Sequence, residues 1–204
     1  MKIEPVTLHG FAARLEPLSL AHADGLMAVA TDGELWKLHY TSVPDATPGS
    51  VTDYIHSALE GQARGEMLPF AVLDARGKVL GCTRYYEIEP TTPTLAIGYT
   101  WYAARAQRTH VNSACKRLLL GHAFDGLDMA TVYFHTSHEN LRSQAAITRL
   151  GAKLDGVIRQ HRRQKDGSLR DTFAYSILRE EWPAIRDRLE QRLTGQPQTR
   201  HSPY

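Results

Sequence analysis

The segment 94–124 constrains the fold of this 204-residue chain more than any other, because it combines a strand, a polar turn and a helix. Asn112 or Ser113 is expected to cap the helix, since short polar side chains accept hydrogen bonds from the first helical amides. Residues 107–111 would direct several backbone N–H groups and the positive end of the helix dipole at one place. The turn therefore suits a phosphate group.

The helix that follows the turn has one apolar face. Residues such as Leu118 and Phe124 recur at helical spacing, which predicts packing against a core. The same spacing places Lys116, Arg117 and His122 on the outer face. We therefore expect an amphipathic helix that lies on a sheet.

Length and composition favour one domain. A chain with 42% hydrophobic residues can bury one sizeable core, so we expect a single domain over residues 1–194 and a flexible C-terminal tail over 195–204. Cys82 and Cys115 lie inside predicted elements without metal-ligand or disulfide spacing, which indicates buried thiols.

Net charge and hydropathy argue against two classes of partner. A formal net charge of +2 gives little reason to expect a nucleic-acid surface. The chain also lacks a signal-like N-terminus and any apolar run long enough to cross a membrane. We expect a cytoplasmic protein that binds neither nucleic acid nor membrane.

The order of elements predicts a mixed α+β fold, with a mostly antiparallel sheet flanked by helices. Residues 32–48 lack a clean period and are expected to form a loop that walls a pocket. The predicted strands are 3–8, 12–15, 68–73, 78–88, 95–102, 130–136, 153–163 and 169–178. The predicted helices begin at Leu20, at Ser50 or Thr52, at Asn112 or Ser113, at Asn140 and at Glu180.

This arrangement resembles the GNAT superfamily of N-acetyltransferases, in particular its RimJ/RimL-like branch. The family pattern Gln/Arg-x-x-Gly-x-Gly/Ala matches Gln107 to Asn112 in part, with His110 and Asn112 at the small-residue positions. A second family pattern, Asn-x-x-Ser before a helix ending in Leu-Gly, matches Asn140 to Ser143 and then Leu150 to Gly151. The resemblance covers nearly the whole chain.

The resemblance implies transfer of an acyl group, usually acetyl, from coenzyme A to an amine, with acetyl-CoA as co-substrate and no metal. Two splayed strands would hold the thioester, and amides freed by a bulge would bind its carbonyl oxygen. Arg108 is a better phosphate partner than Arg105 or His110. The expected cofactor-binding residues are Trp101, Tyr102, Gln107, Arg108, Thr109, His110, Val111, Asn112, Ser113 and Asn140.

The expected catalytic residues are Glu87 and Ser143. Strand alternation puts Glu87 and Glu89 on one face, and either a general base or a solvated strand end explains them. A catalytic Glu87 should have a pKa raised by burial. Relatives often carry glutamate at the position of Ala96 and tyrosine at that of Ile147, so Ser143, a different tyrosine or water would protonate the leaving thiolate.

The acceptor stays open. A small-molecule amine or a protein N-terminus fits the resemblance, and Trp36, His39 and Tyr40 either line its pocket or form a satellite cluster. Two alternatives remain, namely succinyl-CoA or a further acyl-CoA as donor, and a CoA-binding regulatory module without turnover. A homodimer is also left open.

Overall fold

The computed structural model describes residues 3–195, so residues 196–204, nearly all of the predicted tail, lie outside the described residues. The strands are β1 (Leu8–Gly10), β2 (Ala13–Pro17), β3 (Met67–Asp74), β4 (Val79–Glu89), β5 (Thr94–Tyr102), β6 (Thr131–Ser137), β7 (Lys153–Arg163) and β8 (Leu169–Leu178). The helices are α1 (Ala23–Thr31), α2 (Pro48–Ala63), α3 (Val111–Gly121), α4 (Leu141–Leu150) and α5 (Trp182–Thr194).

The strands form one eight-stranded sheet in the order β1-β2-β3-β4-β5-β6-β8-β7. Every neighbouring pair is antiparallel except β5 and β6, which are parallel and joined by α3. The predicted mixed, mostly antiparallel fold is therefore confirmed.

Each face of the sheet buries its own apolar core. On one face, Tyr85 and Leu119 belong to a cluster that joins the sheet to α3 and α5. On the opposite face, Ile55 and Ala58 of α2 pack with Cys82 and Trp101 of the sheet. Because strand side chains alternate between faces, β4 and β5 contribute to both cores.

Two helices begin earlier than predicted. Helix α2 starts at Pro48, directly after Thr47, whose hydroxyl accepts from Ser50 N at 3.2 Å. The cap at Thr47 and the proline in the first turn therefore start the helix before the predicted Ser50. The N-cap of α3 is His110, not Asn112 or Ser113. Thr109 explains the shift, because its hydroxyl accepts from Val111 N at 3.3 Å ahead of the predicted caps.

The outer face of α3 was assigned wrongly at one position. Lys116 is only 8% exposed, whereas the helical spacing had placed it outside. Arg117 is partly buried against Glu190 and the ring of Trp182. The face of α3 that meets protein is therefore wider than its apolar residues indicate, since the aliphatic stems of basic side chains also pack.

Candidate active site

The parallel strands β5 and β6 separate in the middle of the sheet. They pair only at Thr94–Ala96 with residues 131–133, although β5 continues to Tyr102 and β6 to Ser137. We call the opening between residues 97–102 and 134–137 the β5–β6 cleft. The splayed strands expected from the sequence are thus present.

A bulge lies on β5 where the β5–β6 cleft opens. The register between β4 and β5 shifts between Cys82 and Arg84, and Tyr99 has a left-handed φ of 51°. Gly98 precedes it, and a Cβ at this position would lie 2.7 Å from a ring carbon of Tyr86. The bulge frees backbone groups from the sheet ladder, as an oxyanion site requires.

The polar turn before α3 carries unpaired amides. Ala114 N donates the first helical bond to His110 O at 2.9 Å. Among the described residues, the amides of 108–110 and of 112–113 have no acceptor. Unpaired amides beside the positive end of the α3 dipole are the donors that anion sites at helix N-termini use.

Backbone strain in this turn falls on Arg108, whose φ is 60°. His110, at a small-residue position of the family pattern, has an ordinary helical φ of −66°. The turn therefore tolerates His110 and Asn112 because a different residue takes the left-handed conformation. Arg108 is exposed, whereas Arg105 is bound to Asp32 at 2.7 Å and is not free for a phosphate.

Gln107 connects the turn to its neighbours. Its Nε2 donates to Tyr102 O at 3.1 Å, and its Oε1 accepts from Arg142 of α4 at 3.2 Å. The side chains of Trp101 and Tyr102 are buried, so these two residues can offer a ligand only their backbone. The contact with Arg142 connects the turn to α4.

The start of α4 lies on the other side of the cleft. Asn140 Oδ1 accepts from Ser143 N at 3.0 Å, so Asn140 caps the helix. Its Nδ2 donates to no described residue and remains available to a ligand. The hydroxyl of Ser143, which is partly buried, likewise has no partner within residues 3–195.

Glu87 lies at a second bulge, near the end of β4. The register shifts between Tyr86 and Glu89, and Glu87 has a φ of 49°. Its carboxylate lies 3.4 Å from His135 Nδ1 and accepts from Arg162 at 2.7 Å. The hydrogen bond from His135, then the charges of His135 and Arg162, lower the pKa of Glu87, so the expected rise by burial is wrong.

The bulge also separates Glu87 from Glu89. Glu89 turns toward the following loop, where its carboxylate accepts from Thr91 N at 2.8 Å. Simple alternation does not survive a bulge, so the shared face expected for the two glutamates is not formed. Only Glu87 reaches the chain segments around the cleft.

His135 is a member of this site that sequence reasoning missed. Its Nδ1 lies 3.2 Å from Tyr86 Oη as well as near Glu87, and it stands two residues beyond the last residue of β6 that pairs with β5. A histidine inside an apolar strand was the available signal. Ala96 and Ile147, where relatives often carry catalytic groups, are both buried apolar residues here.

A buried arginine lies beside the bulge of β5. Arg84 pairs with Gly98 across the strands and is 3% exposed. Its guanidinium carbon lies 4.2 Å from the ring centre of Tyr99 and 4.8 Å from that of Tyr54. Its Nε has no hydrogen-bond partner, and no carboxylate among residues 3–195 forms an ion pair with it.

The loop between α1 and α2 contacts the turn between β7 and β8 and the start of α4. Lys165, in the turn between β7 and β8, donates to Val43 O and to Trp36 O, while His39 binds Glu139 at 2.9 Å. A cavity of about 490 Å³ is lined by Val43, Tyr54 and Lys165 among others. Trp36, His39 and Tyr40 belong to the same loop but are not among the residues that line this cavity.

Two kinds of feature are absent from residues 3–195. No helix there is long and apolar enough to cross a membrane. No group of three or more histidine, cysteine, aspartate and glutamate side chains in that range is arranged to hold a metal ion.

Residues 13–153 match the acetyltransferase (GNAT) domain family, which is more than half of the chain. No curated protein matches. An acetyltransferase candidate from T. thermophilus is 34% identical, with a TM-score of 0.85 over 95% of this chain and 100% of that one. A GCN5-related N-acetyltransferase from Brucella melitensis is 29% identical, with a TM-score of 0.86 over 95% of this chain and 87% of that one.

A more distant structure agrees at the level of the fold. RimJ from Mycobacterium smegmatis, in complex with CoA-disulfide, is 20% identical and has a TM-score of 0.76 over 92% of this chain and 93% of that one. The chain belongs to the GNAT family of N-acetyltransferases, enzymes that use acetyl-CoA as co-substrate.

Proposed function

We propose that this enzyme transfers the acetyl group of acetyl-CoA to a primary amine, carried by a small molecule or a protein N-terminus. The observation that carries the proposal is the β5–β6 cleft, which lies between the unpaired amides of 108–110 and 112–113 and the bulge at Tyr99. A cofactor with a phosphate group at one end and a thioester at the other fits this arrangement, in which backbone N–H donors lie at the start of α3 and at the bulge of β5.

The residues on each side of the β5–β6 cleft have separate tasks in this proposal. The amides at the start of α3 hold the pyrophosphate, with Arg108 beside them. The free Nδ2 of Asn140 donates to the pantetheine arm while its Oδ1 continues to cap α4. The bound cofactor supplies an acyl group activated as a thioester, and the bulge at Tyr99 orients the carbonyl toward the acceptor.

The proton of the acceptor amine goes to Glu87 in our proposal, directly or through a water molecule. Its lowered pKa keeps the carboxylate ionised at neutral pH, and Arg162 and His135 hold it in place. Tyr86 Oη lies beside the same Nδ1 of His135 that faces Glu87, so His135 and Tyr86 position the carboxylate next to the cleft. Ser143 stays a predicted proton donor to the departing thiolate.

One observation favours a second candidate donor. Arg84 is a buried cation without a carboxylate partner, and it lies opposite Gly98 beside the bulge. A buried charge is stabilised by an opposite charge, and a succinyl group would bring one. The rings of Tyr54 and Tyr99 flank the guanidinium, and one terminal nitrogen donates to Met67 Sδ at 3.3 Å, while Nε has no partner and is the donor left for such a contact.

A thiol-release assay separates these possibilities. Acetyl-CoA and succinyl-CoA are each offered with a panel of small amines and N-terminal peptides, with Arg84→Met as the test variant. Turnover with acetyl-CoA supports the leading proposal, whereas a preference for succinyl-CoA that Arg84→Met removes supports the second. Binding of CoA without release of thiol for any acceptor would mean a regulatory module.

The proposal includes a homodimer through β7. This edge strand exposes Leu154, Val157 and Ile158 at 44–51%. An antiparallel copy centred on Val157 would place Asp155 opposite Arg159, which are complementary charges. Light scattering should report a dimer for the parent and a monomer for Val157→Lys, and a monomeric parent would contradict the idea.

The cytoplasmic location expected from the sequence stays a prediction.

A further inference from the structure

Lys116 of α3 places a charged group inside the molecule. Its side chain is 8% exposed, and its Nζ donates to Thr100 Oγ1 at 3.2 Å. Thr100 in turn shares a hydrogen bond of 2.7 Å with Thr83. One of the three N–H donors of the ammonium is therefore satisfied, and no second acceptor is found among residues 3–195.

The ammonium also lacks a counter-charge. No carboxylate in the described part of the chain forms an ion pair with Lys116, and the titratable neighbour that acts on it is Cys115 of the same helix. Burial lowers the pKa of Lys116 to about 8. A methionine would fill the same space without a desolvation penalty, so a structural role alone does not account for lysine here.

The position of the ammonium connects it to the β5–β6 cleft. Thr100 lies on β5 beyond Ala96, its last residue paired with β6. The ring centre of Phe134, the first residue of β6 after the paired stretch, lies 5.8 Å from Nζ. Lys116 thus approaches the diverging strands from the α3 face. The groups around it are neutral, namely Thr83 of β4, Thr100 of β5 and Phe134 of β6.

We infer that Lys116, in place of Ser143, binds the sulfur of coenzyme A and protonates it as the thiolate leaves. This inference rests on the proposed function. The acceptor nitrogen forms a bond to the carbonyl carbon, the carbon–sulfur bond breaks, and its electron pair stays on sulfur. The ammonium gives one proton to that sulfur and recovers one from solvent, while the proton of the acceptor amine goes to Glu87. An amine and a thiol with similar pKa values exchange a proton with little loss of free energy.

The test compares coenzyme A with desulfo-CoA, which lacks the sulfur atom. Affinities are measured by calorimetry for the parent, for Lys116→Met and for Lys153→Met, an exposed lysine that pairs with Glu181. We expect Lys116→Met to lose about tenfold in affinity for coenzyme A and nothing for desulfo-CoA, as for loss of one charged hydrogen bond. Lys153→Met should match the parent for both ligands.

A spectroscopic measurement gives a second readout. The ultraviolet absorbance of the thiolate, followed against pH for bound coenzyme A, should show a lower thiol pKa in the parent than in Lys116→Met. An equal loss of affinity for both ligands, or an unchanged thiol pKa, would overturn the role of Lys116 and leave the proposed function standing. A parent that binds neither ligand would overturn both.

Discussion

Replacing Lys116 by methionine should stabilise the enzyme at neutral pH. The ordinary pKa of 10.5 falls to about 8 in the fold, and about 2.5 pH units at about 1.4 kcal/mol each give between about 3 and 4 kcal/mol. Loss of the charged hydrogen bond to Thr100 offsets between about 1 and 2 kcal/mol. The net gain expected for Lys116→Met is about 2 kcal/mol, or roughly 4–8 °C in melting temperature for a chain of this size.

The sign of the pH dependence follows from the direction of the shift. The folded-state pKa lies below the unfolded one, so the penalty is fully present below pH 8 or so and disappears as the pH rises past 10.5. Urea unfolding of the parent and of Lys116→Met is therefore compared at pH 7 and at pH 10, with Lys153→Met as the control. A variant that is less stable than the parent at pH 7, or a gain that does not shrink at pH 10, would refute the reasoning.

The remaining predictions concern ligand binding and the base. Coenzyme A at about one hundred times its dissociation constant should stabilise the fold by about 2.7 kcal/mol, and no thermal shift at millimolar ligand would contradict a phosphate site at 108–113. Asn140→Ala should lower both unfolding free energy and coenzyme A affinity by about 1 kcal/mol each, whereas unchanged affinity would make Asn140 only a cap. Because His135 and Arg162 lower the pKa of Glu87, the acidic limb of kcat/KM should lie below the pKa of an ordinary glutamate, and Glu87→Gln should remove it. A variant with the turnover and pH profile of the parent would exclude Glu87 as the base.

Periodic segments were the predictable part of the fold. The bounds of β7 and β8 agree with prediction at both ends, since long alternating strands joined by an Asp-Gly turn leave little freedom. The N-terminal strands agree less well, because a tight hairpin with left-handed Phe11 and Ala12 replaces the expected extended segment. Short strands and irregular turns carry too few residues for a period to be read.

The chemistry of the site was harder to predict, because it depends on bulges and on packing between distant segments. Glu87 was found as a carboxylate near the cleft, but its partners His135 and Arg162 come from strands that only the three-dimensional fold brings together. The bulge that turns Glu87 away from Glu89 has no glycine to mark it. Helical spacing predicts that Lys116 is exposed, whereas the side chain is buried. No sequence rule identifies a buried lysine that lacks an acidic partner.

The short pairing of β5 with β6 divides the molecule mechanically. Two antiparallel half-sheets, β1–β5 and β6–β8, meet through three residue pairs, and beyond these the facing edges have no hydrogen bonds to each other. A ligand in the β5–β6 cleft would form hydrogen bonds with both facing edges. Ligand binding would therefore join the two half-sheets into one continuous hydrogen-bonded sheet. Amide exchange along 97–102 and 134–137 should slow on binding more than in the outer strands, and the two halves should then move as one body.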